Sequence, residues 1–307
     1  MSRSTRLLSI LLCSLSALLL TEAAVAADTY SSKPLADNIH LVTGPSGNTL
    51  VAVDTDGVIL VEGVNAKEAQ SYLAFVARLA GTDKVKMLIN THWHDDSAGL
   101  NGVLAPKGVT VVAHTNTKQW LGATIRKRGE QILHKPVPKN QLPTKTFYDK
   151  MSVPFRGGTL ELGYLFQVHT DGDIYARFVQ QNVLFTGPML HSDKWSAVDE
   201  ATNGYVAAFT DAFDELAKLI DDKTVIVPAS GPVLNKAQFA EQQTIYKNLL
   251  KELVGLLRKG RSADEVVAAN PAVGLKPEWG NPAQYLDEGY RSFYGNLRDT
   301  RHLGAIP

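Results

Sequence analysis

Cysteine is nearly absent from this chain. Cys13 is the one thiol in 307 residues, and it falls inside an N-terminal apolar run. Once that run is removed, neither a disulfide nor a thiolate ligand is available, so any metal must be held by nitrogen and oxygen. An excess of either charge is also missing, because 31 basic residues balance 31 acidic ones. Without a cationic field there is nothing to attract nucleic acid, and a small-molecule substrate or ligand is the expected partner. Internal repeats and low-complexity tracts are lacking as well, which excludes solenoid and fibrous architectures. The sequence gives no indication of oligomeric state.

What is present begins with an export signal over residues 1–27. Arg3 and Arg6 supply the charged start, Leu7 to Leu20 the apolar core, and Ala24-Val25-Ala26-Ala27 the small-residue cleavage region, with cleavage near Ala26–Asp28. That core is short for a membrane span, so an uncleaved anchor is the less favoured alternative. A lipoprotein reading of Cys13 fails on Leu12, a bulky residue where a small one is needed. The expected destination is the periplasm or the medium, with no stable membrane anchor after cleavage.

Short β-branched runs at Ile39 to Val42, Leu50 to Val53 and Val58 to Val61, cut by Gly- and Asp-rich turns, predict an antiparallel meander. Helical spacing covers Ala66 to Leu79, and Val85 to Ile89 is a buried strand. A short helix at Leu100 to Leu104, a strand at Val109 to Ala113 and a helix over Thr115 to Arg128 follow. Residues 129–157, rich in Pro, Lys and Gly, read as a long loop with little regular structure. Strands resume at Thr159 to Val168, Ile174 to Gln180, Val183 to Phe185 and Val225 to Val227. Helices are predicted at Tyr205 to Ile220, at Ala237 to Leu257, and after an N-cap at Ser262 through Ala269. Beyond Gly274, Trp279, Tyr285, Tyr290, Phe293 and Tyr294 make the tail apolar enough to pack back on the body.

The chemistry concentrates in two motifs. Thr91-His92-Trp93-His94-Asp95-Asp96 follows an apolar strand, and in an extended segment His92, His94 and Asp96 project to one side. In Val168-His169-Thr170-Asp171-Gly172-Asp173 a histidine closes a strand just before an Asp-Gly turn. Three neutral imidazoles around Zn²⁺ with an open fourth position form a catalytic zinc set.

These motifs resemble the metallo-β-lactamase superfamily. The likeness runs from about Ile39 to Asn235 and includes, in order, Gly57 to Glu62, both histidine motifs, Val183-Leu184-Phe185-Thr186-Gly187 and Val227-Pro228-Ala229-Ser230-Gly231-Pro232. The flavour is that of its exported, helix-tailed metallohydrolases. The resemblance implies an α+β fold, a four-layer αββα sandwich over residues 28–235, with residues 236–307 a helical extension packed on it. It also implies that His92, His94 and His169 form a first metal site. A second site would use Asp96 and the side chains at Ser97, Pro188 and Ser230. Pro188 has no donor atom and neutral serine hydroxyls are poor zinc ligands, so the second site is degenerate and one Zn²⁺ is expected. Glu62, where the family usually has aspartate, would support the metal loop from behind. His191 and Asp193 lie just past the lost aspartate and are candidate substitute ligands.

Two functions remain open. In one, a single Zn²⁺ activates water, Asp96 acts on that water as the catalytic carboxylate, and Ser97 or Ser230 donates to the oxyanion of an ester, lactone, thioester or amide. In the other, catalysis is lost and the cleft binds a ligand or partner. Asp96 has an alternative as a helix N-cap, Trp93 is first a packing residue, and Lys127, Arg128 and Lys135 read first as a solvated loop, with facing an anionic substrate as the alternative; His134 is set apart because the 129–157 loop could overhang the cleft. His40, His114 and His302 read as satisfied or surface histidines.

Overall fold

Alternation of aliphatic side chains across short strands produces two sheets whose inner faces meet. The computed structural model describes residues 29–127 and 131–300; the export signal with Cys13, together with Arg128 and His302, lies outside the described residues. The expected meander forms from β2 (Ile39–Gly44), β3 (Gly47–Asp54) and β4 (Gly57–Val61), and a further strand, β1 (Ser31–Ala36), pairs antiparallel with β2. β5 (Val85–Ile89) and β6 (Thr110–His114) then join parallel to β4. β7 (Ile125–Lys127) and β8 (Gln131–His134) form a separate hairpin. β9 (Lys145–Phe147) returns to the far edge of the first sheet, parallel to β6. The second sheet has the order β10 (Lys150–Phe155), β11 (Gly158–Tyr164), β12 (Ile174–Phe178), β13 (Val183–Phe185) and β14 (Val225–Val227).

Eight α-helices occur among the described residues. They are α1 (Ala69–Ala80), α2 (Asp95–Ala98), α3 (Asn101–Leu104), α4 (Thr115–Leu121), α5 (Ala208–Ala217), α6 (Lys236–Arg258), α7 (Ala263–Ala269) and α8 (Ala283–Thr300). Side-chain parity assigns the layers. Ile59, Val61 and Ile89 face inward onto Leu160, Ile174, Phe178 and Phe185 of the second sheet. Val58, Leu60 and Leu88 face outward onto Tyr72 and Val76 of α1 and Leu104 of α3. On the other side, Leu184, Ile226 and Tyr175 pack under Phe209 and Phe213 of α5 and Tyr246 of α6. The result is helix, sheet, sheet, helix, an α+β sandwich. Trp279, Tyr285, Tyr290 and Phe293 of the tail are buried in that last layer.

Two expectations are corrected. The helix from Thr115 stops at Leu121, where Gly122 takes the C-cap and Ile125 starts the hairpin. Residues 129–157 are not a loop: they supply β8, β9 and β10. β9 is bonded on one side only, to β6, while β8 and β10 form short hairpins with β7 and β11. Pro154 in β10 is tolerated since β10 is an edge strand. β1, whose first four residues are exposed and include Pro34, was likewise not foreseen.

Candidate metal centre

Parallel strands in both sheets end at one rim, where ligand sites of such sheets collect. Glu62 follows β4, the histidine motif follows β5, Pro188 lies three residues past β13 and Ser230 three past β14. His169 arrives on the β11–β12 connection. One nitrogen from each of His92, His94 and His169 falls within a common 4.8 Å span, and this is the one cluster of metal-ligating type among the described residues. His169 Nε2 and His94 Nδ1 are 3.0 Å apart.

Each ring's second nitrogen is held by the protein. His94 Nε2 lies 3.2 Å from Asp199 Oδ2, and His169 Nδ1 meets the Ala197 carbonyl at 3.0 Å. His92 Nδ1 is 3.3 Å from Thr91 Oγ1, whose hydroxyl donates in turn to Glu62. The His169 turn is tied by Asp173, whose carboxylate accepts from the backbone N–H groups of His169 and Thr170 and from the Thr170 hydroxyl. Such outer partners fix ring orientation and aim the inward nitrogens at one point, where a metal would bind.

Charge follows this geometry. Burial alone would lower His92, but the Asp96 carboxylate, with Glu62 and Asp173 beyond it, lifts it to about 9. Burial also opposes ionisation of Asp96, yet His92 and the other two imidazoles hold its carboxyl well below the usual range. His169 is pushed down by burial and by the imidazoles of His94 and His92 beside it. Burial raises Glu62, whose backbone adopts a left-handed φ of 76°.

Asp96 sits in the first turn of α2; His94 takes the N-cap position and no side-chain cap bond forms there. The capping alternative for Asp96 is therefore set aside. Its Oδ1 is buried 3.2 Å from His92 Nε2 without a hydrogen bond, while the rest of the carboxylate stays open. Asp95 does other work, accepting from the backbone N–H of Ala66. An orphaned carboxylate oxygen beside three converging nitrogens is what a zinc ion would satisfy, so the residues present fit one Zn²⁺.

The serines behave differently from expectation. Ser97 is fully buried and its Oγ accepts from the backbone N–H groups of Thr91, at 2.9 Å, and His92, at 3.3 Å. It thereby ties down the start of the histidine motif. Ser230 gives its hydroxyl to Asp193 Oδ1 at 2.5 Å and lies 2.8 Å from His191 Nδ1, so its proton is committed within this group of residues and not to the metal cluster. Pro188 is buried, as the absence of a donor there allows.

Trp93 is buried, donates to Thr202 Oγ1 at 3.0 Å, and also forms part of the cleft wall. That cleft encloses about 280 Å³ and is lined by His94, His169, Asp199, Ala201, Gln284 and Glu288, among others. His134 of β8 packs its ring 5.1 Å from Trp93, which places the hairpin beside the site. Lys135 is exposed, and the side chain of Lys127 falls outside the described residues. His114 is stacked on Tyr164 and bonded to the Tyr148 carbonyl, a satisfied histidine. Asp199, the Ala197 carbonyl, Gln284 and Glu288 were not foreseen. None belongs to a motif, and each reaches the site through a loop or helix remote in sequence.

The sequence profile of the Metallo-beta-lactamase superfamily matches residues 42–230. The metallo-beta-lactamase type 2 of Bacteroides fragilis is 26% identical over 187 residues, covering 61% of this chain and 69% of that one. In structure, a metallo-beta-lactamase from Pontibacter korlensis superposes with a TM-score of 0.59 at 18% identity, covering 71% of this chain and 99% of the other. The DIM-1 metallo-beta-lactamase superposes at 0.56 with 15% identity, covering 71% and 97%. At these identities the superpositions speak to fold alone. The profile spans more than half of the sequence and takes in both histidine motifs, and on that ground this chain belongs to the metallo-beta-lactamase superfamily.

Proposed function

We propose that this chain is an exported hydrolase that works with a single Zn²⁺. The observation that carries the reading is the intact three-histidine cluster, each ring oriented by a partner on its outer nitrogen. When bound there, the ion supplies Lewis acidity and makes water a competent nucleophile near neutral pH. Asp96, ionised, beside His92 and partly exposed, would orient the attacking water and take its proton. Asp199 and Ala197 hold His94 and His169 in place while this happens. Trp93 and Ala201 offer an apolar wall to the acyl group, and Gln284 a polar one.

The reading favours esters, lactones and thioesters over amides. An amide has the poorer leaving group, and Ser97, Pro188 and Ser230 supply no ligand set for a second cation that would help to carry it. The named relatives are beta-lactamases, so a β-lactam is the natural contrast substrate. The charged start and apolar core before Asp28 support export to the periplasm. No described helix is long and apolar enough to cross a membrane.

Those three substitutions also favour a second reading, a binding protein that has kept the fold and lost catalysis. Elemental analysis with an ester, lactone and β-lactam panel separates the two. The hydrolase reading expects about one zinc per chain and ester or lactone turnover, both lost in His92→Ala and His169→Ala. A purified, zinc-supplemented protein that is metal-free and inert establishes the binding reading instead.

A further inference from the structure

Part of the cleft wall comes from far outside the two histidine motifs. Gln284 and Glu288 of α8 line the same cavity, of about 280 Å³, as His94, His169, Trp93 and Ala201. They stand four residues apart, so one turn of helix puts both side chains on one face. The adjoining Tyr285, Leu286 and Tyr290 are buried in the body and fix which face that is. Gln284 is exposed and Glu288 half-buried, so Gln284 stands nearer solvent and Glu288 deeper.

This wall is held against the segment that orients the metal cluster. Ala197 and Asp199, the partners of His169 and His94, lie on that segment. A Cβ built on Gly289 of α8 would stand 3.0 Å from Val206 Cγ2 and 3.8 Å from Val198 Cγ2, so helix and segment are in close contact. The Val206 N–H donates to Ser292 Oγ at 3.0 Å, and the Trp195 indole donates to the Gly280 carbonyl at 3.3 Å. Gln284 Nε2 in turn donates to the Glu288 carboxylate at 3.3 Å, which ties the two wall residues together. The cleft cannot widen here without displacing the helix. Its volume falls just under the roughly 300–1,000 Å³ of pockets that take drug-sized ligands, and suits a short acyl group.

We propose that Gln284 and Glu288 are specificity-determining residues: they limit the length of the acyl group that the cleft accepts and restrict the hydrolase to short-chain esters. An acyl chain whose carbonyl lies beside His94 and His169 runs along Trp93 and Ala201 and stops at the Glu288 side chain. A longer chain has to press its methylenes against that carboxylate and strip it of water, which is unfavourable. Bulk and polarity thus act in the same direction. The proposal rests on the hydrolase reading above.

The test uses the zinc-loaded full chain and p-nitrophenyl esters of one leaving group, running from acetate through butyrate and hexanoate to octanoate. The unsubstituted chain should favour butyrate over octanoate in kcat/KM by about tenfold or more. Glu288→Ala, which opens the wall, should raise the octanoate-to-butyrate ratio about threefold to tenfold, chiefly through KM, with zinc content unchanged. Glu288→Gln keeps the bulk and should shift that ratio less, and Gln284→Ala, nearer solvent, should shift it in the same direction as Glu288→Ala. Ala201→Leu fills the cleft from its other side and should move the preference toward acetate. An unchanged ratio in Glu288→Ala overturns the inference while leaving the hydrolase reading intact. So does an unsubstituted chain that prefers octanoate, or a loss in Glu288→Ala that falls equally on every ester, as a merely structural role would give. A zinc-loaded chain that turns over none of these esters also overturns the inference, and one that turns over no lactone either overturns both readings. Should Glu288→Ala fail to fold, the ratios in Gln284→Ala and Ala201→Leu still decide.

Discussion

His92 shows how one side chain couples proton and metal. In the metal-free fold Asp96 and the carboxylates behind it raise its pKa from 6.5 to about 9. The protonated ring therefore stabilises the metal-free chain below its ordinary value, and that contribution disappears as pH climbs through about 9. Zinc competes with the same proton. Its apparent affinity should rise about tenfold per pH unit from neutrality toward that limit, with proton release on binding. Competition against a chromophoric chelator across that range measures the slope, and a flat profile would contradict the assignment. Asp199 acts on the neighbouring ring. Asp199→Asn keeps the shape but weakens the hold on His94, and should lower zinc affinity about tenfold to hundredfold without unfolding the chain.

At the scale of an element, the metal loop depends on close backbone approach. Gly63 follows Glu62 directly after β4, and a Cβ there would stand 2.3 Å from the Ser97 carbonyl of α2. That carbonyl accepts from Asn90 Nδ2, so α2 cannot retreat without breaking the start of the histidine motif. Gly63→Ala is expected to lower the melting temperature and zinc affinity together. A variant with wild-type values for both would show that the loop yields more easily than its packing implies. Glu62, one residue earlier, holds a left-handed φ that a side-chain-bearing residue seldom adopts, and its bond to Thr91 maintains that strain at the site.

For the molecule as a whole, the helical extension is part of the core. Tyr246 of α6 is fully buried, contacts Phe209 and Phe213, and donates to Ser196 Oγ at 3.1 Å. Tyr246→Ala should cost about 3–5 kcal/mol of stability, as truncation of a large buried aromatic does, and chemical denaturation would record it. A loss under about 1 kcal/mol would mean that the extension sits loosely on the second sheet. The extension also reaches the chemistry, because Gln284 and Glu288 of α8 line the cleft and Trp279 braces the His191 segment. It lies beyond residue 230, the last one matched by the superfamily profile.

The sequence alone determined the elements whose signal is local. Strands such as Val85–Ile89, the Ser262 cap and the spacing of His92, His94 and Asp96 are legible because period, cap chemistry and side-chain type act within a few residues. That Pro188 carries no donor atom and that Ser97 and Ser230 carry only neutral hydroxyls is legible for the same reason, since side-chain chemistry is a property of one residue. Only the tertiary structure decided the rest. The edge strand β9 exists through pairing with β6, remote in sequence, whereas β1, β10 and the β7–β8 pair are short local hairpins whose pattern is too brief and too exposed to stand out. Asp199 and Ala197 were beyond reach because a second-nitrogen partner is chosen by where a loop lands. The serines, read as oxyanion donors, were already bonded to backbone and to Asp193. A hydroxyl's orientation is set by its neighbours in space, and sequence order carries no record of them.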